Sequence, residues 1–500
     1  MSSPSGTADP TADDVNPAPA PADAPAAAAS DETAGDRGAL GIVITLCLGG
    51  LVASLMQTLI IPVQPELPQL LHTSISNASW VITATLLGGA VAMPIAGRLG
   101  DMYGKQRVIL ASALLLVVGS LICAIGGTLV PMLIGRAVQG MSMGFIPVGI
   151  SLMREVTPPR LTSMAVAAMS ATLGVGGAIG LPVSAWVAQT WDWRALFWAS
   201  AGLALLITVL VVVIVPNVAD SAGGRLDVVG AVGMAAGLCS VLIAVSKGKD
   251  WGWASGATLG FLAAGVVVLL AWAMFELRHS DPLVDLRTTA KPTVLLTNLA
   301  AIAIGFGMMA QAIVVPTMLE VPDSVGGFGQ TILQTGLWMA PGGIMMMLFA
   351  PISGMLINRL GPKLTLAIGG AVLCVGYLTA YFLMNAPWQL AVASVIGSAG
   401  VGIGYAAMPT LIMGAVPITE AGAAVGLNGL MRSVGTTLSS AVMAVVLAAS
   451  TIDLGGGHQV PTHSAFRWCF LIGAAAAFVG VLITLAIPRA RARSAELAVA

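Results

Sequence analysis

The stretch "PIAGRLGDMYGK" (94–105) returns, altered, as "PISGMLINRLGPK" (351–363). Pro94 aligns with Pro351, Gly97 with Gly354, Gly104 with Gly361 and Asp101 with Asn358, all at an offset of 257 residues. A second pair points the same way. "QTLIIPVQPELP" (57–68) aligns with "QAIVVPTMLEVP" (311–322), matching Gln57 to Gln311, Pro62 to Pro316, Glu66 to Glu320 and Pro68 to Pro322 at an offset of 254. Trp80 and Trp338 add a pair 258 apart. Nearly constant offsets at several separate places mark an internal duplication.

Composition says what is duplicated. Of the 500 residues, 57% are hydrophobic and only 9% charged. A soluble globular chain carries roughly 25% charged residues, so this one cannot cover its surface in water and belongs in lipid. The formal net charge is −1 and the cations are scattered. A nucleic-acid footprint needs a clustered basic face, so nucleic acid is not an expected partner. The five cysteines stand singly in apolar stretches, with no metal or redox spacing. No phosphate-loop, H-E-x-x-H, C-x-x-C or G-x-S-x-G motif occurs. Neither an enzyme nor a cofactor or metal is expected.

A membrane helix needs about 20 mostly apolar residues. Fourteen segments qualify: 40–63, 79–99, 108–126, 131–152, 163–188, 195–215, 228–246, 254–275, 293–318, 331–357, 364–384, 388–413, 421–449 and 466–487. With the N-terminus inside, fifteen Lys and Arg residues fall in inner segments. Four fall outside (Arg194, Lys247, Lys249 and Arg467), while Arg136 and Arg432 lie within spans. That bias orients the chain with both termini cytoplasmic. The expected fold is an all-α membrane protein of two six-helix bundles, 38–216 and 293–488, related by pseudo-twofold symmetry. Two inserted helices and a linker (217–292) separate them. Residues 1–37, rich in Ala, Pro and Asp, read as a disordered acidic tail; residues 489–500 read as a basic one.

Charge inside hydrocarbon is a functional candidate by default. None of the 22 acids sits mid-span. Glu66 and Glu320 come closest to a central passage, each at the outer end of the first helix of its half. Pro62 and Pro316 are expected to kink those helices, because proline lacks the N–H and clashes with the preceding turn. The two carboxylates, with Gln57 and Gln311 beneath them, are candidates for an outer gate or a proton-linked site; solvated helix ends are the alternative. Arg136 is the basic residue well inside the first bundle and can pair with Gln139, with helix carbonyls or with substrate. Arg432 is expected to snorkel toward the inner interface. Asp101 with Arg98, Lys105 and Arg107 can form a latch, the carboxylate binding a neighbouring helix N-terminus while the inner side is closed. Gly97, Gly100 and Gly104 allow the tight turn and close approach there.

These residues also carry a resemblance. "GRLGDMYGKQR" (97–107) resembles the loop motif of the major facilitator superfamily. "RAVQGMSMGFIP" (136–147) resembles its fourth-helix motif, and "LGVGGAIGLPVS" (173–184), with Pro182 as a possible kink, its fifth-helix antiporter motif. "DWRALFW" (192–198) and "DWGW" (250–253) resemble the fourteen-helix drug:proton antiporter branch, the EmrB/QacA-like exporters. The resemblance spans about residues 38–488. It implies alternating access in the cytoplasmic membrane, export of a small amphipathic substrate, and proton coupling with Arg136 in the protonation cycle. One departure stands out. Met56 occupies the place of that branch's helix-one Asp, which is implicated in coupling, and Ile61 that of its Asn. An uncoupled facilitator, an exporter of neutral or lipid-like cargo, and a receptor or assembly factor on a transporter scaffold remain the alternatives.

Overall fold

The computed structural model describes residues 24–61, 63–64, 66–217, 226–279, 281–453 and 459–488. Pro62, Asp220, Arg225, His458, residues 1–23 and the basic stretch 489–500 lie outside the described residues.

Long helices dominate. The first half holds α1 (Ala24–Thr58), α2 (Trp80–Tyr103), α3 (Lys105–Ile125), α4 (Leu129–Val156), α5 (Pro159–Thr190) and α6 (Arg194–Ile214). Next come α7 (Val228–Trp251) and α8 (Gly256–Glu276). The second half holds α9 (Pro292–Glu320), α10 (Ile332–Leu360), α11 (Pro362–Phe382), α12 (Pro387–Ala415), α13 (Ala421–Ala449) and α14 (His463–Ala486). Among the described residues, 13 helices are long and apolar enough to cross a membrane; α5, 32 residues long, is not counted with them.

The duplication is visible in the packing. α1 packs on α5 and α6, α2 on α4, and α3 on α4 and α6. Likewise α9 packs on α13 and α14, α10 on α12, and α11 on α12 and α14. Adding eight to each label carries the first set onto the second. The halves meet through α2 against α13 and α10 against α5, and the same operation exchanges those two seams. Backbone detail repeats as well. Gly104 and Gly361 both have positive φ, +99° and +82°, where one helix ends and the next begins. Only glycine holds that conformation without Cβ strain.

Two features depart from the sequence reading. Residues 24–37, expected to be a structureless tail, are the helical start of α1; the run is alanine-rich, and alanine is the strongest helix former. α4 and α12 are each broken internally. α4 passes through a 3₁₀ turn at Ser142–Gly144, and α12 is interrupted at Ala406. Pro147 and Pro409 follow at once. Each lacks the N–H that would bond the carbonyl four residues back, at Met143 and Tyr405. The opposite happens at Pro316 and Pro182, which sit inside α9 and α5 without ending them.

α7 and α8 pack on each other, and α7 also reaches α2 and α13. Met234 and Leu238 share an apolar cluster with Ala90, Leu427 and Leu430, along one seam between the halves. Lys247, read as an outer-loop cation, is buried in the last turns of α7. Its ammonium bonds Ser79, reaches Asp250 at 3.2 Å and lies 4.9 Å from the Trp80 ring centroid. Partnering at this density is what makes a buried ammonium tolerable.

Candidate functional site

The inner ends of the two halves are joined through Asp101. Its Oδ1 accepts the Gly422 backbone N–H at 3.1 Å and its Oδ2 accepts Ala423 N–H at 2.9 Å. Both donors belong to the first turn of α13, where N–H groups have no partner within the helix and the helix dipole favours an anion. The side chain is fully buried, and Lys105 Nζ lies 3.7 Å from Oδ1. Lys105 also pairs with Glu155. The backbones approach closely here. A Cβ on Gly97 would lie 2.1 Å from the Gly422 carbonyl oxygen, and one on Gly426 would lie 2.3 Å from that of Met93. Arg154 adds a second tie between the halves, donating to the Met413 carbonyl at 2.6 Å.

The expected cation cluster is therefore only partly formed. Lys105 is in contact, and Arg98 acts on Asp101 through charge. Arg107 is exposed and makes no ion pair among the described residues. It sits in the first turn of α3. Glu155 and Arg154 were not singled out by sequence; charges at the end of α4 read as an ordinary positive-inside loop. The other seam lacks the latch. Gly354 keeps the close approach, with a Cβ 3.0 Å from Met164 Cα, but Asn358 at the Asp101 position is exposed.

Arg136 is entirely buried. Its Nη1 donates to the Met56 carbonyl and to Gln139 Oε1, each at 2.9 Å, and Gln139 Nε2 donates to Ser120 at 2.8 Å. Nε and Nη2 have no hydrogen-bond partner. The guanidinium thus meets position 56, but finds a backbone carbonyl where a carboxylate side chain would supply the missing acceptors.

Glu66 and Glu320 are both exposed, and no hydrogen bond or ion pair joins them among the described residues. α1 ends at Thr58, whereas α9 runs on through Pro316 to Glu320, so the two ends are not built alike. Gln311 is structural in part, donating from Nε2 to the Ser394 carbonyl at 3.0 Å and to Ser398 at 3.3 Å across to α12. Gln57 has no such tie among the described residues. Arg432 leans back toward Gly429, one turn nearer the inner end. Its guanidinium carbon stacks 4.3 Å from the Tyr405 ring centroid.

On the inner side, a cavity of about 200 Å³ lies beside the latch, lined by Arg98, Asp281, Asp285 and Glu420 among others. Burial pushes the Asp285 carboxyl up, but hydrogen bonds from Thr288 and Arg287 outweigh it and hold the group below the usual carboxylate range. Asp227, the N-cap of α7, and Glu276, the last residue of α8, are buried, with no hydrogen bond at Asp227 Oδ2 or at either Glu276 oxygen among the described residues.

The duplicated bundles, the symmetric seams and the latch together describe one architecture, and the sequence profile of the Major Facilitator Superfamily matches residues 46–227 and 297–498. The chain belongs to the major facilitator superfamily. The superfamily fold is also that of the solved structures it resembles. The human organic anion transporter MFSD10 superposes with a TM-score of 0.65 at 13% identity, covering 89% of this chain and 99% of that one. The proton:xylose symporter XylE gives 0.62 at 14%, covering 90% and 96%. At that identity the likeness concerns the fold alone. Among superfamily relatives in sequence, the chain is 27% identical over 331 residues to the uncharacterized MFS-type transporter YhcA of Bacillus subtilis. It is 26% identical over 421 residues to the tetracenomycin C resistance and export protein of Streptomyces glaucescens, covering 82% of this chain and 76% of that protein. It is 25% identical over 405 residues to the multidrug resistance protein Stp of Mycobacterium tuberculosis, covering 80% and 74%. The match spans 61% of the length of YhcA and 58% of that of the mycobacterial transporter Rv1877. These relatives are transporters, not enzymes.

Proposed function

We propose that this superfamily member is a secondary active exporter. It crosses the cytoplasmic membrane fourteen times with both termini inside, as in the EmrB/QacA-like branch, with α7 and α8 as the inserted pair. It moves amphipathic compounds outward by alternating access, driven by inward proton flow. The observation that carries this reading is Asp101 seated on the N-terminus of α13. A carboxylate bonded to two backbone N–H groups of the opposite half is a reversible closure, and alternating access requires one. The names of two relatives, a multidrug resistance protein and a tetracenomycin C export protein, favour export of amphipathic cargo. Glu66, in the outer segment that follows α1, and Glu320, the last residue of α9, are the acids on which proton exchange with the outside would act. A second reading, downhill facilitation, is favoured by Met56 in place of the branch's coupling acid.

Everted vesicles from an efflux-deficient strain separate the two. Proton-driven antiport predicts uphill uptake of dye that collapses with a protonophore. Facilitation predicts downhill flux indifferent to the protonophore, and a scaffold without transport activity predicts none.

A further inference from the structure

The polar lining of α13 narrows the cargo. Gly422, Gly426 and Gly429 lie on one stripe of this helix, at spacings of four and three. A Cβ on any of them would crowd α2 or the latch: Asp101 at 2.7 Å, the Met93 carbonyl at 2.3 Å, Met93 Sδ at 2.9 Å. The same stripe continues outward as Ser433, Thr436 and Ser440, again at helical spacing, and all three are partly exposed. Leu438 and Val445, exposed apolar residues, lie on a different face, as lipid-facing positions should. α2 and α13 thus touch closely along their inner halves, and above Gly429 the stripe turns from glycine to partly exposed hydroxyl side chains. Arg432 stands at the edge of that stripe.

Arg432 is eleven residues into α13, about 16 Å from its inner end at 1.5 Å per residue. That is near the middle of a hydrocarbon core about 30 Å thick. The side chain is partly exposed, pairs with no carboxylate among the described residues, and rests on the buried ring of Tyr405. A guanidinium on an aromatic face still presents N–H groups at its edge, besides the one that reaches the Tyr405 hydroxyl. No acid of the sequence lies at this depth, while the other mid-span cation, Arg136, has two unbonded N–H-bearing nitrogens. A low-dielectric passage with cations and no anions carries a positive potential, which repels cationic drugs and attracts oxyanions.

We propose that the cargo is an anionic amphiphile, an apolar scaffold bearing a carboxylate or similar oxyanion, and that Arg432 receives its charged end in the fork geometry suited to carboxylates. The direction of movement rests on the export reading above; binding does not.

The test uses full-length purified protein and a matched pair of dyes on one xanthene scaffold, anionic fluorescein and cationic rhodamine 123. Fluorescence polarisation is expected to show fluorescein bound at least tenfold more tightly. R432Q should lose at least tenfold of that binding, and R432K should keep part of it, because the charge survives without the fork. Size-exclusion profile and thermal midpoint report whether each variant is folded. Equal or tighter binding of rhodamine 123, no binding of fluorescein, or fluorescein binding unchanged in folded R432Q overturns the proposal. Export of the cation untouched by R432Q would remove this inference and leave the export reading standing. Anion binding without flux would do the reverse.

Discussion

Asp101 and Ala423 are 322 residues apart in sequence and 2.9 Å apart in space, Oδ2 to backbone nitrogen. The contact joins the second helix of one half to the fifth of the other. It holds only while the inner ends are together, because the N-terminus of α13 cannot be reached from a separated bundle. Hydrogen bonds to charged groups contribute about 1.5–3 kcal/mol each, enough to bias a two-state equilibrium by tenfold or more.

D101A therefore lowers the inner-closed population at least tenfold and cuts transport to a similar degree, with insertion intact. D101N keeps one acceptor oxygen and falls between. Transport assays alongside surface-expression blots check this, and normal flux from an inserted D101A removes the latch.

Gly97 tests the same closure sterically. Its missing Cβ would lie 2.1 Å from the Gly422 carbonyl oxygen, so G97L holds the bundles apart; overpacking costs about 1–3 kcal/mol. The equivalent G354L meets Met164 at 2.9–3.0 Å, partly against a side chain that can move. G97L should reduce transport more than G354L, measured side by side at equal expression.

Met56 offers a gain-of-function test. Its carbonyl already holds Arg136 Nη1, while Nε and Nη2 have no partner. M56D places a carboxylate beside those donors, and a titratable partner at this position makes transport more steeply dependent on external pH. Flux in vesicles between pH 5.5 and 8.5 reads this out. An unchanged profile in a folded, inserted M56D means that Arg136 is only a packing element.

Glu66 and Glu320 divide the outer reading. If they exchange protons with the outside, E66Q and E320Q each lower proton-driven flux and the double variant abolishes it, while downhill flux persists. Loss of downhill flux as well would assign them to structure rather than to coupling.

What the sequence made legible was whatever repeats. The 257-residue offset placed Gly104 and Gly361 at equivalent turns, and the positive φ at both explains why glycine recurs there. Asp101 was recognisable because its neighbours form a contiguous motif. Its acceptor role was expected, but its partners, Gly422 and Ala423, are backbone groups in an apolar run with no side-chain signature. The helix breaks before Pro147 and Pro409 were hidden inside continuous apolar stretches, where hydropathy alone cannot register a lost hydrogen bond. The aromatic partner of Arg432 was not legible, because a Tyr405 ring contributed by another helix cannot be seen along one strand of sequence. The burial of Asp227 and Glu276 was not legible either, since burial of a helix end depends on what packs over it.

Distances between spin labels test the central claim most directly. One pair sits at the inner ends, at Arg107 and Asn358, and one at the outer ends, at Glu66 and Glu320; all four positions are exposed. With the latch intact the inner pair should be short and the outer pair long. D101A should lengthen the first distribution and shorten the second together. Distributions that stay fixed, or that move in the same direction, would contradict two halves tilting about a shared passage.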